Sequence, residues 1–518
     1  MSILTKQRRW IVIFAIILIV ITSLPYLWAA QQAGPDWVFS GLIYGVEDGH
    51  SYIAKMLRGA LGDWLFRSPY STREQSGALL YLPYLLLGKF FGPDATNGQL
   101  VIAFHVFRLL AILVLCWALY DFFSLFLKEE ANRRWGLLLA TLGGGLGWLL
   151  LIGGHSTWLG SFPLEFFSPE TFGFLAVFGL PHLVLARALL LWGLLAYLRP
   201  GASPRWRTAL LWLALALTHV LSAGLVILLI GLHWLLQRVW LRHTDVEEQA
   251  ATRQAGAALL GAGLPLALSV YQLLTDAYLR GWAAQNLITS PSFWHYLLAF
   301  SIPLALSVWG GRHVWNAHAR RASFLLLWLA LLPILLYLPF GLQRRFAEGI
   351  WVALLVLALA AFEAHGRLSA AWRRVMLLLL PSTLVLLISA IRVTATPGPP
   401  LFLPRDQVAV FEALREEIRE GDVLLSAYET GNVLPAWAPV RVVIGHGSET
   451  VGLRGIRSQV TAYYRGADDG AFLADQEVDY VFWGPVERSL GGRDLSQDPM
   501  LSLMVREGEF AIYRVNQP

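Results

Sequence analysis

Apolar runs organise this chain, and polar residues punctuate them. Segments such as 11-IVIFAIILIVITSLPYLWAA-30 and 323-SFLLLWLALLPILLYLPF-340 follow one another as far as residue 393. Both are long enough to cross about 30 Å of hydrocarbon as helices rising about 1.5 Å per residue. The pattern breaks at 394-TATPGPPLFLP-404, a Pro/Gly stretch. Beyond it, 406-DQVAVFEALREEIREGD-422 has helical periodicity, and VLLSAY, VRVVIG, VDYVFWG and FAIYRV alternate as short strands. The pattern predicts an all-α polytopic membrane protein of about 10–12 spans with a small C-terminal extracytoplasmic α/β domain. The expected boundaries are 1–395 for the membrane part, 396–403 for a linker and 404–518 for the soluble domain.

Composition agrees with this reading. Of 518 residues, 56% are hydrophobic and 14% charged, with a mean hydropathy of +0.55, against about 25% charged in soluble domains. Twenty-two Trp and 17 Tyr suit interfacial belts. Cys116 is the single cysteine, so no intramolecular disulfide forms. The net charge of +5 comes from short basic loops, and no nucleic-acid motif is present. Residues 11–30 exceed the apolar core of a signal peptide, so they read as an uncleaved first span.

Lys6, Arg8 and Arg9 place the N-terminus in the cytoplasm by the positive-inside rule, within a cell (inner) membrane. Basic clusters at 128–134, 199–207, 238–253, 312–321 and 367–374 mark further cytoplasmic turns. Residues 31–77 then form a first external loop. Segments 154–171, 218–224, 275–286 and 342–349 also face outward. The alternation makes 78–92 half-spanning and breaks 206–240 into two helices.

Ionisable side chains near hydrocarbon tend to face a cavity or a partner, and here the non-basic ones gather on the outer side. Glu47, Asp48 and His50 occupy the first loop; Glu165 and Glu170 the second; His182, His219, Arg344, Arg345 and Glu348 follow. Each also has a bland account: the acids as solvated charge or helix caps, the histidines as capping or interhelical groups, the arginines as headgroup contacts. His446 and Glu449 in 445-GHGSET-450 are either turn residues or reach the membrane site. Walker, G-x-S-x-G and His-Glu-x-x-His motifs are missing, which leaves nucleotide hydrolases, esterases and zincins without support. A transporter or flippase would want charges at the midplane and internal repeats; a ligase of lipid-linked glycans or a non-catalytic assembly protein are further alternatives.

The layout resembles the GT-C superfamily of membrane glycosyltransferases, which includes protein O-mannosyltransferases and the bacterial lipid A aminoarabinose transferase. The similarity covers residues 1–395. It rests on a cytoplasmic N-terminus, the acidic first-loop motif 47-EDGHSYIAKMLRGALGDW-64, the Pro/aromatic stretch 78-ALLYLPYLLLGKFFG-92, and Arg108 in FHVFRLL. SPETFGFLAVFGLPHL and GLQRRFAEG look like motifs of bacterial members.

The resemblance implies a sugar moved from a polyprenyl-phosphate donor to an acceptor hydroxyl on a glycan, lipid or protein, with inversion. Asp48 is then the base, Glu47 its alternative, and Arg344 and Arg345 hold the lipid phosphate. His182, His219, Glu170 and His50 assist, and Asp48 and the arginines are expected to share one hollow. No cofactor is implied beyond the donor, and a divalent cation stays open.

Overall fold

In the computed structural model the described residues are 3–199, 201, 203–239, 246–365, 369–467 and 470–516. The basic turns at 199–207, 238–253 and 367–374 lie partly outside them.

Among the described residues nine helices are long and apolar enough to cross a membrane. The count falls below the expected range because Glu130–Leu142 and Arg205–Thr218 have 13 and 14 residues, short of the roughly 20 that a span needs. Residues 78–92 hold only the helix Leu82–Gly88, while the span is Asn97–Phe126. Residues 206–240 break at His219, whose φ of −153° and ψ of 93° separate Arg205–Thr218 from Val220–Val239. Both interruptions fall where the sequence reading placed them.

The chain divides into two compact units. The first contains residues 1–24, 106–269 and 288–390. Its central helix, Ile350–Ala364, buries 13 of its residues. Lipid tails offer little hydrophobic drive for helices to associate, so close packing of backbones must supply it. Gly310 shows how: a Cβ there would lie 1.6 Å from the Leu357 carbonyl oxygen. Gly173 against Ala140 and Gly261 against Ala209 repeat the device, at 2.0 and 2.1 Å.

The second unit joins residues 25–105, 270–287 and 391–518. The composition break at 396–403 therefore marks a change in solvent exposure, while packing gathers the first loop and the C-terminal residues together. β1 (Trp37–Phe39) in the first loop pairs antiparallel with β2 (Phe402–Pro404), Val38 facing Leu403. β3 (Val423–Leu425), β4 (Arg441–Val442), β5 (Tyr480–Trp483), β6 (Leu501–Glu507) and β7 (Phe510–Val515) form a mixed sheet ordered β4-β3-β5-β7-β6. Val423, Leu425, Val443, Ile444, Val481 and Tyr464 are among its buried core.

The first-loop helix, Val46–Ala60, starts from Gly45 in the left-handed region at φ +59°. Its apolar periodicity fits a half-buried helix, yet 11 of its 15 residues are buried. Leu82–Gly88 covers one side so closely that a Cβ on Gly59 or Gly88 would stand 2.0 Å from the Leu85 oxygen or 1.8 Å from that of Met56.

Candidate active site

The expected site residues fall into two clusters, one in each compact unit, and each is described by itself.

The acidic cluster belongs to the second unit. Glu47 and Asp48 sit in the first turn of Val46–Ala60, where unpaired backbone N–H groups favour carboxylates. Their surroundings separate them. Glu47 Oε1 accepts the Tyr428 hydroxyl at 2.5 Å and the Gly447 N–H at 2.7 Å, and its carbonyl accepts Asn432 Nδ2 at 3.3 Å. It clamps the C-terminal residues to the helix. The Asp48 side chain is 56% exposed, with Oδ1 3.3 Å from His446 Nε2.

His446 and Glu449 are thus more than turn residues. Glu449 is buried and pairs with Lys55 Nζ at 2.7 Å. Ser51 donates to its Oε1 at 2.8 Å and Ser68 to its Oε2 at 2.6 Å. Burial alone would raise this carboxyl, but the Lys55 and His446 charges and these hydrogen bonds hold it below the usual range. His50 is 2% exposed, and its Nε2 has no hydrogen-bond partner. Desolvation lowers its pKa to about 4, so it is neutral and serves as a packing group rather than a charged one.

The basic cluster belongs to the first unit. The guanidiniums of Arg344 and Arg345 approach the two oxygens of Glu170 at 3.9 and 3.8 Å. Those separations are ion-pair rather than hydrogen-bond lengths, and both Nε atoms lack a hydrogen-bond partner. Two cations facing one carboxylate leave a positive surplus with donors to spare. Arg344 lies over the Phe167 ring at 4.7 Å, and its N–H donates to Ile288 O at 3.2 Å. His182 and His219 stand with ring centroids 6.3 Å apart. His219 Nδ1 bonds Ser222 Oγ at 2.7 Å, and its Nε2 has no partner. The set suits a phosphate, whose oxygens accept from several donors at once.

Three other candidates hold structure together. Glu348 is fully buried against Arg187 Nε at 2.6 Å, and Arg187 also donates to the carbonyls of Pro169 and Glu170 at 2.8 Å, fixing the turn that carries Glu170. Arg108 donates to Thr22 Oγ1 at 3.1 Å and Ser23 Oγ at 2.9 Å, tying the first span to Asn97–Phe126. Glu165 accepts the Gly147 N–H at 2.6 Å and Ser382 Oγ at 3.0 Å, so it braces the glycine turn 143–147.

Lys55, Tyr428 and Arg187 were not singled out from the sequence. Lys55 left a signal there: it stands on the apolar face of YIAKML, where a cation requires a partner. Among the described residues no three His, Cys, Asp or Glu side chains are grouped to hold a metal ion.

No protein-family model matches the sequence. No curated protein matches it either. Solved structures do share the fold. One is the archaeal oligosaccharyltransferase AglB from Archaeoglobus fulgidus, in complex with an inhibitory peptide and a dolichol-phosphate. The TM-score is 0.55 at 12% identity, over 93% of this chain and 70% of that one. Another is the arabinofuranosyltransferase AftD from Mycobacteria, with a TM-score of 0.58 at 15% identity, over 99% of this chain and 40% of that one. At these identities the likeness is one of fold: this chain shares the polytopic helical architecture of these solved structures.

Proposed function

We propose that the protein is an integral membrane glycosyltransferase that moves a sugar from a polyprenyl-phosphate carrier to an acceptor hydroxyl at the outer face of a cell membrane. The observation that carries the proposal is the contrast between the two first-loop acids. Glu47 is spent on holding Tyr428 and Gly447, whereas Asp48 is presented to solvent on a buried, braced helix. A base must reach its proton donor and keep its geometry. The exposure of Asp48 and the burial of its helix support this role, and the fold shared with glycosyltransferases supports the reaction class.

In the proposed step the acceptor hydroxyl oxygen bonds the anomeric carbon while its proton passes to the Asp48 carboxylate. The bond from that carbon to the carrier phosphate breaks, and its electron pair leaves with the phosphate. A single displacement inverts the anomeric centre. Charge grows on the leaving phosphate, so positioned cations lower the barrier. Arg344 and Arg345 take that role, with Glu170 orienting them and His182 and His219 as further donors. A likeness to AglB, solved with a dolichol-phosphate, supports a lipid-phosphate donor.

Membranes holding the wild-type chain should transfer radiolabel from a polyprenyl-phosphate sugar to an endogenous glycan, lipid or protein acceptor. Asp48→Asn should reduce the rate by about 10²–10⁴-fold, the usual worth of base catalysis, while Glu47→Gln acts on stability first. Arg344→Ala should weaken donor use without abolishing folding. Full activity in Asp48→Asn would sink the proposal. Transfer only from an oligosaccharide donor favours the oligosaccharyltransferase type of reaction, for which the AglB likeness is the motivating observation.

A further inference from the structure

Resting on the reading of Asp48 as the base, we propose that His446 is a positioning residue, which holds Asp48 through one carboxylate oxygen and switches its basicity. On this proposal the C-terminal loop 445–450 is part of the acceptor-activating machinery rather than an appendage.

The tautomer follows from the hydrogen bonds. The Glu449 N–H donates to His446 Nδ1 at 3.4 Å, so in the neutral ring Nδ1 carries the lone pair and Nε2 the proton. Nε2–H then donates to Asp48 Oδ1 at 3.3 Å. Neutral His446 cannot take a proton from Asp48 at that nitrogen. It steers the carboxylate and leaves proton acceptance to Asp48.

The loop is fixed far beyond the needs of a turn. Gln285 Nε2 donates to the carbonyls of Ser448 and Thr450, at 2.7 Å each, and its Oε1 accepts the Gly452 N–H at 3.0 Å. The Tyr278 hydroxyl donates to the Glu449 carbonyl at 2.9 Å, and Thr450 Oγ1 to that of Tyr70 at 3.0 Å. Below, Lys55 grips Glu449 and Ser51 while facing the Tyr81 ring at 4.2 Å. His446 itself is 6% exposed.

Charged and titratable groups face His446 from every packed element. Asp48, Glu47 and Lys55 come from the first-loop helix, and Glu449 from its own loop. The Tyr70 ring stands 5.4 Å away, and the Tyr428 hydroxyl binds Glu47. Burial lowers the imidazole pKa, but the Asp48 hydrogen bond and the Glu449 and Asp48 charges outweigh burial and Lys55. The net shift is upward from 6.5. Below its raised pKa His446 is a cation, Asp48 is locked in an ion pair, and the carboxylate is a weaker base. Above it the ring is neutral and only orients. Activity should therefore fall as pH drops through the His446 pKa.

Two measurements on the full chain test this. In kcat/KM for transfer from a polyprenyl-phosphate sugar, the wild type should show an acid limb above pH 6.5. His446→Gln, which keeps a donor but cannot titrate, should move that limb to lower pH. His446→Ala should lower kcat by about 10- to 100-fold with little change in KM, a misplacement effect, and His446→Gln should recover part of it. The second measurement needs no activity. Cys116 is buried, so in a Cys116→Ala background the thiol of Asp48→Cys reports its own environment through alkylation by iodoacetamide. Adding His446→Gln should slow alkylation at pH 7 by about threefold, half a pKa unit. An equal rate with and without His446 overturns the proposal whether or not transfer is found, and so does an acid limb that stays put. If no donor is transferred, the glycosyltransferase reading fails while the thiol rates still decide the coupling.

Discussion

Lys55 and Glu449 show what one buried pair does in this chain. Their side chains are 1% and 2% exposed, so each has lost its water and depends on the other. Removing one leaves an unpaired buried charge, which costs about 3–5 kcal/mol. Lys55→Met should therefore lower the thermal midpoint of the purified protein sharply, and adding Glu449→Gln should recover most of the loss, because no charge is then stranded. Tryptophan-fluorescence melts check both. A double variant as unstable as the single would mean that Lys55 acts through its aromatic neighbours. Glu449 is also a pH-dependent support: its pKa is depressed in the fold, so its contribution holds above the ordinary carboxylate range and fades as pH falls through the folded value. At this scale the sequence was partly legible. The acids at 47 and 48 stood out beside an apolar run, but which of them is clamped depends on Tyr428 and Gly447, roughly 380 and 400 residues onward, and no local pattern encodes that.

Among elements, the crossing of Val46–Ala60 with Leu82–Gly88 depends on two glycines. A methyl group on Gly88 would stand 1.8 Å from the Met56 carbonyl oxygen, so the helices must part or bend. Gly88→Leu should cost about 1–3 kcal/mol as overpacking and bring the first loop within reach of protease; limited proteolysis checks it. Spans and breaks were the readable elements. Lipid forces each backbone to satisfy its own hydrogen bonds, so length and apolarity declare a helix, and the polar THVLSAG tip announced the interruption at His219. The three-residue strands β1 and β2 were not readable, since each is too short to show alternation and is held by the other.

For the molecule as a whole, loop charge sets the expected topology. The expectation that the first loop, the His219 break and the 342–349 loop face outward gives a direct test. Single cysteines placed at 48, 219 and 344 in Cys116→Ala should all react with a membrane-impermeant maleimide in intact cells. Labelling of any one only after lysis would reverse its loop and the proposed outer-face chemistry with it. The membrane part announced itself by composition, but the grouping of the first loop with residues 391–518 did not. Composition reports which solvent a segment meets, and the compact units follow which segments touch.

The pairing of β1 with β2 sets an order of manufacture. Residues 37–39 emerge from the ribosome early, and their hydrogen-bonding partners at 402–404 emerge more than three hundred residues later. Residues 445–450, which brace the first-loop acids, are made later still. A nascent chain whose later spans have not been threaded lacks the segments that complete its first loop, so a half-inserted molecule carries the acids without their supports. Only a chain translated past residue 450 can hold Asp48 against His446 and Glu47 against Gly447.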